Sequence, residues 1–407
     1  MSDKGDLTAE EAAKALNIRP ATLYAYVSRG LIRSEAAGPK GRGRLYHRDD
    51  VGRLRARQAQ RRNPERAAEQ ALSWGLPILE SALTRIADGR LSYRGQDALA
   101  LAEASTFEQV AELLWTDEPP TRAPGLGDAI AAGYTAFDEL RPWMGPLAGM
   151  APADAFQVVL PLAAGRDAAG YDLRPHAVAL TGARILGLLT AAATYPAAPA
   201  SGRMAERLAV GWGLKGERKT RLIEAALILC ADHELNTSAF TARCVASVRG
   251  TPYQVVMAAL AALHGLRHGG YTERVEALFE EVGAAARAQS VLAAWLKRGT
   301  GLPGFGHKLY PEGDPRARLL LEMASTLAPR SPAWAMAGTI TQAVARLTGE
   351  RPTIDFALVV VTRVLRLPRG SPLALFALGR TAGWIAHAME QYQTEAMIRP
   401  RARYVGK

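Results

Sequence analysis

Four histidines, one aspartate and two arginines stand in this chain where a plain helical core would not place them. His233 and Asn236 interrupt an apolar stretch as ADHELNTS, and His264 and His268 lie four apart in LHGLRHGG. His307 and Arg316 share GLPGFGHKLYPEGDPRARLL, behind Gly301, Gly304 and Gly306. Asp355 opens TIDFALVVV, and Arg380 lies in FALGRTAGWIAHAMEQ. A buried carboxylate without partners is costly, so Asp355 must be paired or must hold its proton more tightly than usual. Each residue alone can be read as a satisfied core histidine or a buried ion pair. The set together, beside glycine-rich breaks, is more than packing requires. His264 and His268 have the spacing of a helical metal pair. However, residue 265 is Gly rather than the Glu of HExxH, and Cys230 and Cys244 form no CxxC, so no metal is expected. There is no GxSxG elbow and no P-loop, and the lone GFG lacks a strand before it.

The elements that must position these groups are helical. The chain has 407 residues, 48% of them apolar, with Ala and Leu dominant and few β-branched runs. That composition predicts an all-α protein with a sizeable core, in one large domain plus something smaller. STFEQVAELLW predicts a helix capped by Ser105 and Glu108. RLIEAALILCADHELNTSAFTARCVASV is apolar nearly all round and is expected to be buried. TAAATYPAAPASG at 190–202 reads as a connection between helices. No run of about 18 consecutive apolar residues suggests a membrane span. Two cysteines and no secretory segment at the start point to the cytoplasm.

The first seventy residues have another character. The net charge is +11, and residues 1–66 hold 15 Lys and Arg against 8 Asp and Glu, so +7 of it sits in this small segment. LTAEEAAKALNIRPATLYAYVSRGLI predicts two short helices. Thr8 caps the first; Ala12, Ala13 and Leu16 form its apolar face, and Asn17 breaks it. Pro20 starts the second, which presents Leu23, Tyr26 and Val27 and ends at Gly30. Helix, tight turn, helix is the helix-turn-helix pattern. GPKGRGRLYHRDDV then reads as a wing. This stretch resembles the DNA-binding head of the MerR and excisionase type, with TLYAYVSRGLI as recognition helix and exit. The resemblance implies contacts to double-stranded DNA from Arg19, Thr22, Tyr24, Arg42, Arg44 and Arg48. A head at 1–52 is expected, followed by a charged helix or linker at 53–76.

The remaining segments, taken in order, resemble citrate synthase over residues 77–407. LSYRGQDALALAEASTFEQVAELLW looks like the family's YRG segment, and LILCADHELNTSAF like its central histidine segment. GLRHGG and GFGHKLYPEGDPRA look like its two catalytic histidine motifs, and TIDF like its aspartate motif. GRTAGWIAH and IRPRARYVG look like its two C-terminal arginine motifs. The resemblance implies a large and a small helical domain, the small one roughly 271–372 inserted in the large. It also implies a homodimer with shared sites and acetyl-CoA and oxaloacetate as substrates. Coenzyme A enters as a thioester co-substrate, and no cofactor is permanently bound.

Carried over by residue, the resemblance makes Asp355 the base that takes a methyl proton from acetyl-CoA. His268 would hydrogen-bond the thioester oxygen, and His307 would donate to the oxaloacetate ketone. His233, Arg316 and Arg380 would bind oxaloacetate, and Arg399 would reach into a partner's site. Gly304, Gly306 and Lys308 would contact coenzyme A, the glycines letting backbone approach a flat ligand. The residue types suit the chemistry. A thioester methyl is a very weak acid, so its removal needs donors aimed at the oxygen where charge develops. Neutral histidine supplies them without a buried cation, and arginine forks match carboxylates. The chain departs from the family's usual pattern at Tyr271 and Thr272 after HGG, at Arg267, at Pro311 and at Gln96. These departures bear on acetyl- against propionyl-CoA and on coenzyme A affinity. A regulator that uses the same fold as a metabolite sensor, and a helical scaffold, are the competing readings.

Overall fold

The computed structural model describes residues 7–36, 43–48, 50–52, 54, 79–116, 125–145, 149–197, 202–299, 301–402 and 404–406. Arg42 and, apart from Leu54, the segment at 53–76 lie outside the described residues. The chain divides into two compact units, Met1–Glu80 and Ser81–Lys407.

In the first unit, β1 (Leu7–Thr8) leads into α1 (Ala9–Leu16), and the Thr8 and Glu11 side chains close a capping box. Asn17 turns left-handed at φ 50, and Pro20 then opens α2 (Pro20–Ser28). β2 (Ser34–Ala36) and β3 (Arg44–Tyr46) pair antiparallel, with Ser34 opposite Tyr46, and β1 adds to the other side of β3. Ala12, Ala13, Leu16, Leu23, Ile32, Tyr46 and Val51 bury a small core. The expected faces are therefore the packed ones, and the described part of the expected wing is β3, paired antiparallel with β2. Arg33 donates to both oxygens of buried Asp50 and ties the wing's entry to the segment after it.

The second unit is helical around one small sheet, β4 (Thr84–Ala87), β5 (Arg90–Tyr93) and β6 (Gln96–Asp97), with β4 at its edge. α3 (Ala98–Ala104) and α4 (Phe107–Thr116) follow. The capping box of α4 is Thr106 with Gln109, one residue later than expected. Glu108 is committed elsewhere, accepting the Met204 N–H at 2.7 Å. α5 (Leu126–Leu140), α6 (Pro152–Ala164) and α7 (Pro175–Thr194) come next, then α8 (Met204–Gly211). α7 is long and apolar enough to cross a membrane, but 78% of that stretch is buried inside the protein, so it serves as a core helix.

The apolar stretch around His233 is two helices, α9 (Glu217–Cys230) and α10 (Thr237–Ser247), with 231–236 as the break between them. α11 (Pro252–Leu263), α12 (Tyr271–Val282) and α13 (Ala288–Lys297) lead to the glycine loop. After it come α14 (Pro315–Leu327), α15 (Pro332–Thr348), α16 (Ile354–Leu365) and α17 (Ser371–Tyr392). α17 is buried on every side along most of its length, which marks it as the axis of the main core. It lies close against α9, since a Cβ at Gly379 would sit 2.5 Å from the Leu227 carbonyl oxygen.

Two hydrophobic cores meet at α16. Ile354, Ala357, Leu358, Val361 and Leu365 face the main core. Phe356, Val359 and Val360 face a second core built from α12, α13 and α15 and confined to residues 275–360. Both sets follow helical spacing. This explains why the sequence after Asp355 is apolar without interruption: the helix has two buried stripes, and Asp355 stands in its first turn between them.

Candidate active site

The break between α9 and α10 carries His233. Asn236 caps α10 by accepting the Ala239 N–H at 3.1 Å, and its amide donates to the His233 carbonyl at 3.3 Å. The His233 ring is buried, with Nε2 3.1 Å from the Tyr310 hydroxyl. It lies edge-on to His307, ring centroids 5.4 Å apart. Burial first, then the nearby charges of Arg316 and Arg380, hold His233 well below the ordinary imidazole range. It is a neutral ring.

His307 stands on the loop between α13 and α14. The Leu309 N–H donates to its Nδ1 at 3.2 Å. Nδ1 is therefore the acceptor, and the proton of the neutral ring sits on Nε2. Burial, with Arg316 adding, pulls this ring down to about 4. The loop is tied to the segment leading into α16: Gly306 N–H donates to the Arg351 carbonyl, and Thr353 N–H donates to the Gly304 carbonyl, each at 2.9 Å. His307 and Asp355 thus sit on one bridged pair of segments.

The glycines serve that bridge. Gly304 and Gly306 have φ of +85° and +76°. A Cβ at Gly304 would meet Phe356 and Val275 at 2.9 Å, and one at Gly306 would meet Glu350 at 2.7 Å. Their immediate neighbours are protein atoms, and the left-handed backbone needs glycine in any case. Lys308 is exposed beside them.

Asp314 and Arg316 form the centre of the charged set. Arg316 is 2% exposed and gives Nε to Asp314 Oδ1 at 2.9 Å and Nη2 to Oδ2 at 2.8 Å. Burial works against the guanidinium charge, but Asp314 outweighs it and raises the Arg316 pKa. Arg380 is 1% exposed, gives Nε to the Cys230 carbonyl at 2.7 Å, and leaves Nη2 buried with no hydrogen-bond partner. Asp355 accepts the Thr353 hydroxyl at 3.2 Å. Burial pushes its carboxyl up to about 6, against the opposing pull of Arg316.

His268 follows α11 on the turn before α12. Its Nε2 lies 2.8 Å from the Ser238 hydroxyl, which also accepts the Trp384 indole N–H at 3.0 Å and donates to Asn236 Oδ1 at 2.8 Å. With its one proton on Asn236, Ser238 can only accept from His268, which places the ring proton on Nε2. If Ser238 instead turns its proton to His268, the other ring nitrogen becomes the donor. Asn236 Oδ1 then still holds the Ala239 N–H. Burial, with Arg380 adding, brings His268 down to about 3.

The structure thus gathers Arg316, Arg380, His307 and His268 close enough to His233 for each to act on its charge. His264 stands apart, giving Nδ1–H to the Leu260 carbonyl at 3.0 Å, with Nε2 3.5 Å from Asp154. Arg399 is exposed on the irregular stretch after α17 and joins no group of this cluster. Tyr310 and Ser238 were not singled out from the sequence, and Asp314 was expected only to turn the chain ahead of Arg316. Tyr310 and Asp314 lie inside the same glycine-histidine motif, and Ser238 lies two residues after the capping Asn236.

Comparison with known proteins decides the family. Residues 71–401 match the model of the citrate synthase C-terminal domain. The chain belongs to the citrate synthase family. The citrate synthase 2 of Bacillus subtilis is 31% identical over 355 residues, covering 82% of this chain and 94% of that protein. The 2-methylcitrate synthase of Mycobacterium tuberculosis is 29% identical over 362 residues, covering 82% of this chain and 89% of that protein. A solved ternary complex of carboxymethyl coenzyme A and oxaloacetate with citrate synthase from Thermoplasma acidophilum superposes with a TM-score of 0.73 at 25% identity. It covers 82% of this chain and 94% of that one. Residues 7–59 match a helix-turn-helix domain model, so this citrate synthase family member carries such a domain ahead of its enzyme unit. The enzyme is of the citrate synthase type.

Proposed function

We propose that the chain condenses acetyl-CoA with oxaloacetate to give citrate and coenzyme A. The observation that carries this reading is the unpartnered Nη2 of Arg380, buried near Arg316 and the neutral His233 and His268. A buried guanidinium N–H without an acceptor is costly inside a protein, and a dicarboxylate supplies the acceptor. His233, Arg316 and Arg380 bind oxaloacetate in this reading.

Asp355 removes a methyl proton from the thioester, and the C–H electron pair becomes the enolate, whose oxygen His268 steadies by donating from Nδ1–H while Ser238 turns its proton to Nε2. The nucleophilic carbon attacks the ketone carbon of oxaloacetate as the C–C bond forms. The ketone oxygen takes the proton from Nε2 of His307. Water then cleaves the thioester, releasing citrate and coenzyme A. The raised affinity of Asp355 for protons makes it a stronger base than a solvated carboxylate, and the neutral rings donate without adding buried charge. Lys308 meets a phosphate of coenzyme A, next to Gly304 and Gly306. Arg399 serves the site of a second copy in a homodimer, consistent with its exposure in the single chain. A cytoplasmic location belongs to the same proposal.

Incubation with oxaloacetate and either acetyl- or propionyl-CoA, followed by mass analysis of the acid formed, tests the reading and sets the acyl preference. Formation of neither citrate nor 2-methylcitrate by folded protein would overturn it.

The first unit supports a second activity, binding to double-stranded DNA. Its two helices and the antiparallel β2–β3 pair present Arg19, Tyr24 and Arg44 at the surface, with Thr22 half-buried. A mobility shift whose affinity falls steeply with salt is the expected result. Absent or salt-insensitive binding contradicts it.

A further inference from the structure

We propose that the hairpin of β4 and β5 sets the position of His233, with Thr84 and Glu234 as positioning residues for the keto-diacid. The proposal rests on the reading of His233 as an oxaloacetate ligand.

Both chain neighbours of His233 are held by β4. The Thr84 hydroxyl donates to Asp232 Oδ2 at 2.5 Å, and the Ile86 N–H donates to Glu234 Oε1 at 3.0 Å. β4 is the edge strand of its sheet, so this N–H faces away from β5 and needs a partner elsewhere. From β5, opposite Thr84, the Tyr93 hydroxyl lies 3.0 Å from the Ile228 carbonyl and 3.3 Å from the Asp232 carbonyl. The hairpin therefore touches the turn before, at and after Asp232.

The turn needs such support. Glu234 has φ 52, the left-handed region that a side-chain-bearing residue adopts only when its surroundings impose it. Asp232 is fully buried, and besides the Thr84 contact its Oδ1 lies 3.3 Å from Nε2 of His387. Arg243 gives Nε–H to Nδ1 of His387 at 3.2 Å and is itself paired with Glu390. Glu390 in turn accepts the Ala82 N–H at 2.8 Å, so the chain entering β4 is held at both ends of one polar network. Nothing in this network touches the thioester side of the site. It reaches the keto-diacid through His233 and, by the charge of Asp232, through Arg380.

The test measures steady-state kinetics of the full chain for wild type, Thr84→Val, Thr84→Ser and Glu234→Ala. Wild-type coenzyme A release is the control: if wild type is inactive, the functional reading fails before the positioning proposal is reached. With an active wild type, Thr84→Val and Glu234→Ala are expected to raise the KM for oxaloacetate about tenfold, by loss of one hydrogen bond to a charged group. The KM for the acyl-CoA should stay near wild type, and Thr84→Ser should restore the oxaloacetate value. Glu234 is only half-buried, so its variant keeps the test open if Thr84→Val fails to fold. An unchanged KM for oxaloacetate in folded Glu234→Ala, or equal changes in both KM values, would overturn the proposal.

Discussion

Asp314 Oδ2 accepts the Ile354 N–H at 3.0 Å while the same carboxylate grips Arg316. One side chain thereby caps α14, holds a guanidinium in place, and anchors the first turn of α16, where Asp355 stands. The spacing between an arginine of the anion pocket and the proposed base is fixed by this single carboxylate.

Removing that carboxylate should be severe. Asp314→Ala leaves Arg316 buried without its counter-charge, a change that costs about 3–5 kcal/mol. Urea unfolding should show this loss. A loss under 1 kcal/mol would mean that water or another carboxylate already serves Arg316.

The pH dependence of activity should report Asp355. Its carboxyl, raised to about 6 by burial, must be ionised to accept a proton. kcat/KM for the acyl-CoA should therefore climb through pH 6 and level off above about 7. His268 and His307, lowered to about 3 and about 4, are neutral throughout this range and add no limb. A flat profile from pH 5 to 8 would contradict the assignment of the base.

Stability should show a separate pH effect from Glu224, 1% exposed on α9. Burial pushes this carboxyl up to about 7 from its ordinary 4.5, with Glu108 adding to the rise. A raised folded pKa stabilises fully below 4.5 and loses that contribution as pH climbs through 7. At 1.36 kcal/mol per unit, the loss by pH 8 is on the order of 3 kcal/mol. Glu224→Gln carries no charge to bury, so its Tm should gain on wild type between pH 5 and 8. Parallel Tm curves would remove Glu224 from the account.

Arg380→Lys tests the anion pocket. Lysine keeps the charge but lacks the fork that reaches both Cys230 O and a ligand. The KM for oxaloacetate should rise about 10- to 100-fold, the worth of one hydrogen bond between charged groups. Unchanged oxaloacetate binding would mean the orphaned Nη2 is not a ligand group.

In the first unit, Arg44→Ala should lower the slope of log affinity against log salt by about one if Arg44 meets a DNA phosphate. An unchanged slope would leave Arg44 as a strand residue whose Nη2 bonds the Ser34 carbonyl.

Much of this architecture was legible in the order of residues, and what escaped did so for physical reasons. Asp355 stood out because a charge heading an apolar run is rare, and both stripes of α16 were visible as a run without a period. Two interleaved stripes erase the amphipathic signal, so the second core was not. Ser105 with Glu108 matched the capping pattern as well as Thr106 with Gln109 did, and only the long-range demand of Met204 for Glu108 separates them. The clamp of β4 on Asp232 and Glu234 joins residues about 150 apart in the chain, beyond the reach of any local pattern. The glycines before His307 announced an unusual backbone, but not that the space beside Gly304 is filled by Phe356 and Val275.

The central claim is that Asp355 takes the proton that starts the condensation. The most direct measurement is the rate of coenzyme A release by Asp355→Ala with saturating acetyl-CoA and oxaloacetate, together with its equilibrium affinity for oxaloacetate. The account predicts a fall in kcat of about 10³-fold with oxaloacetate affinity retained. A variant that still turns over within tenfold of wild type would contradict it.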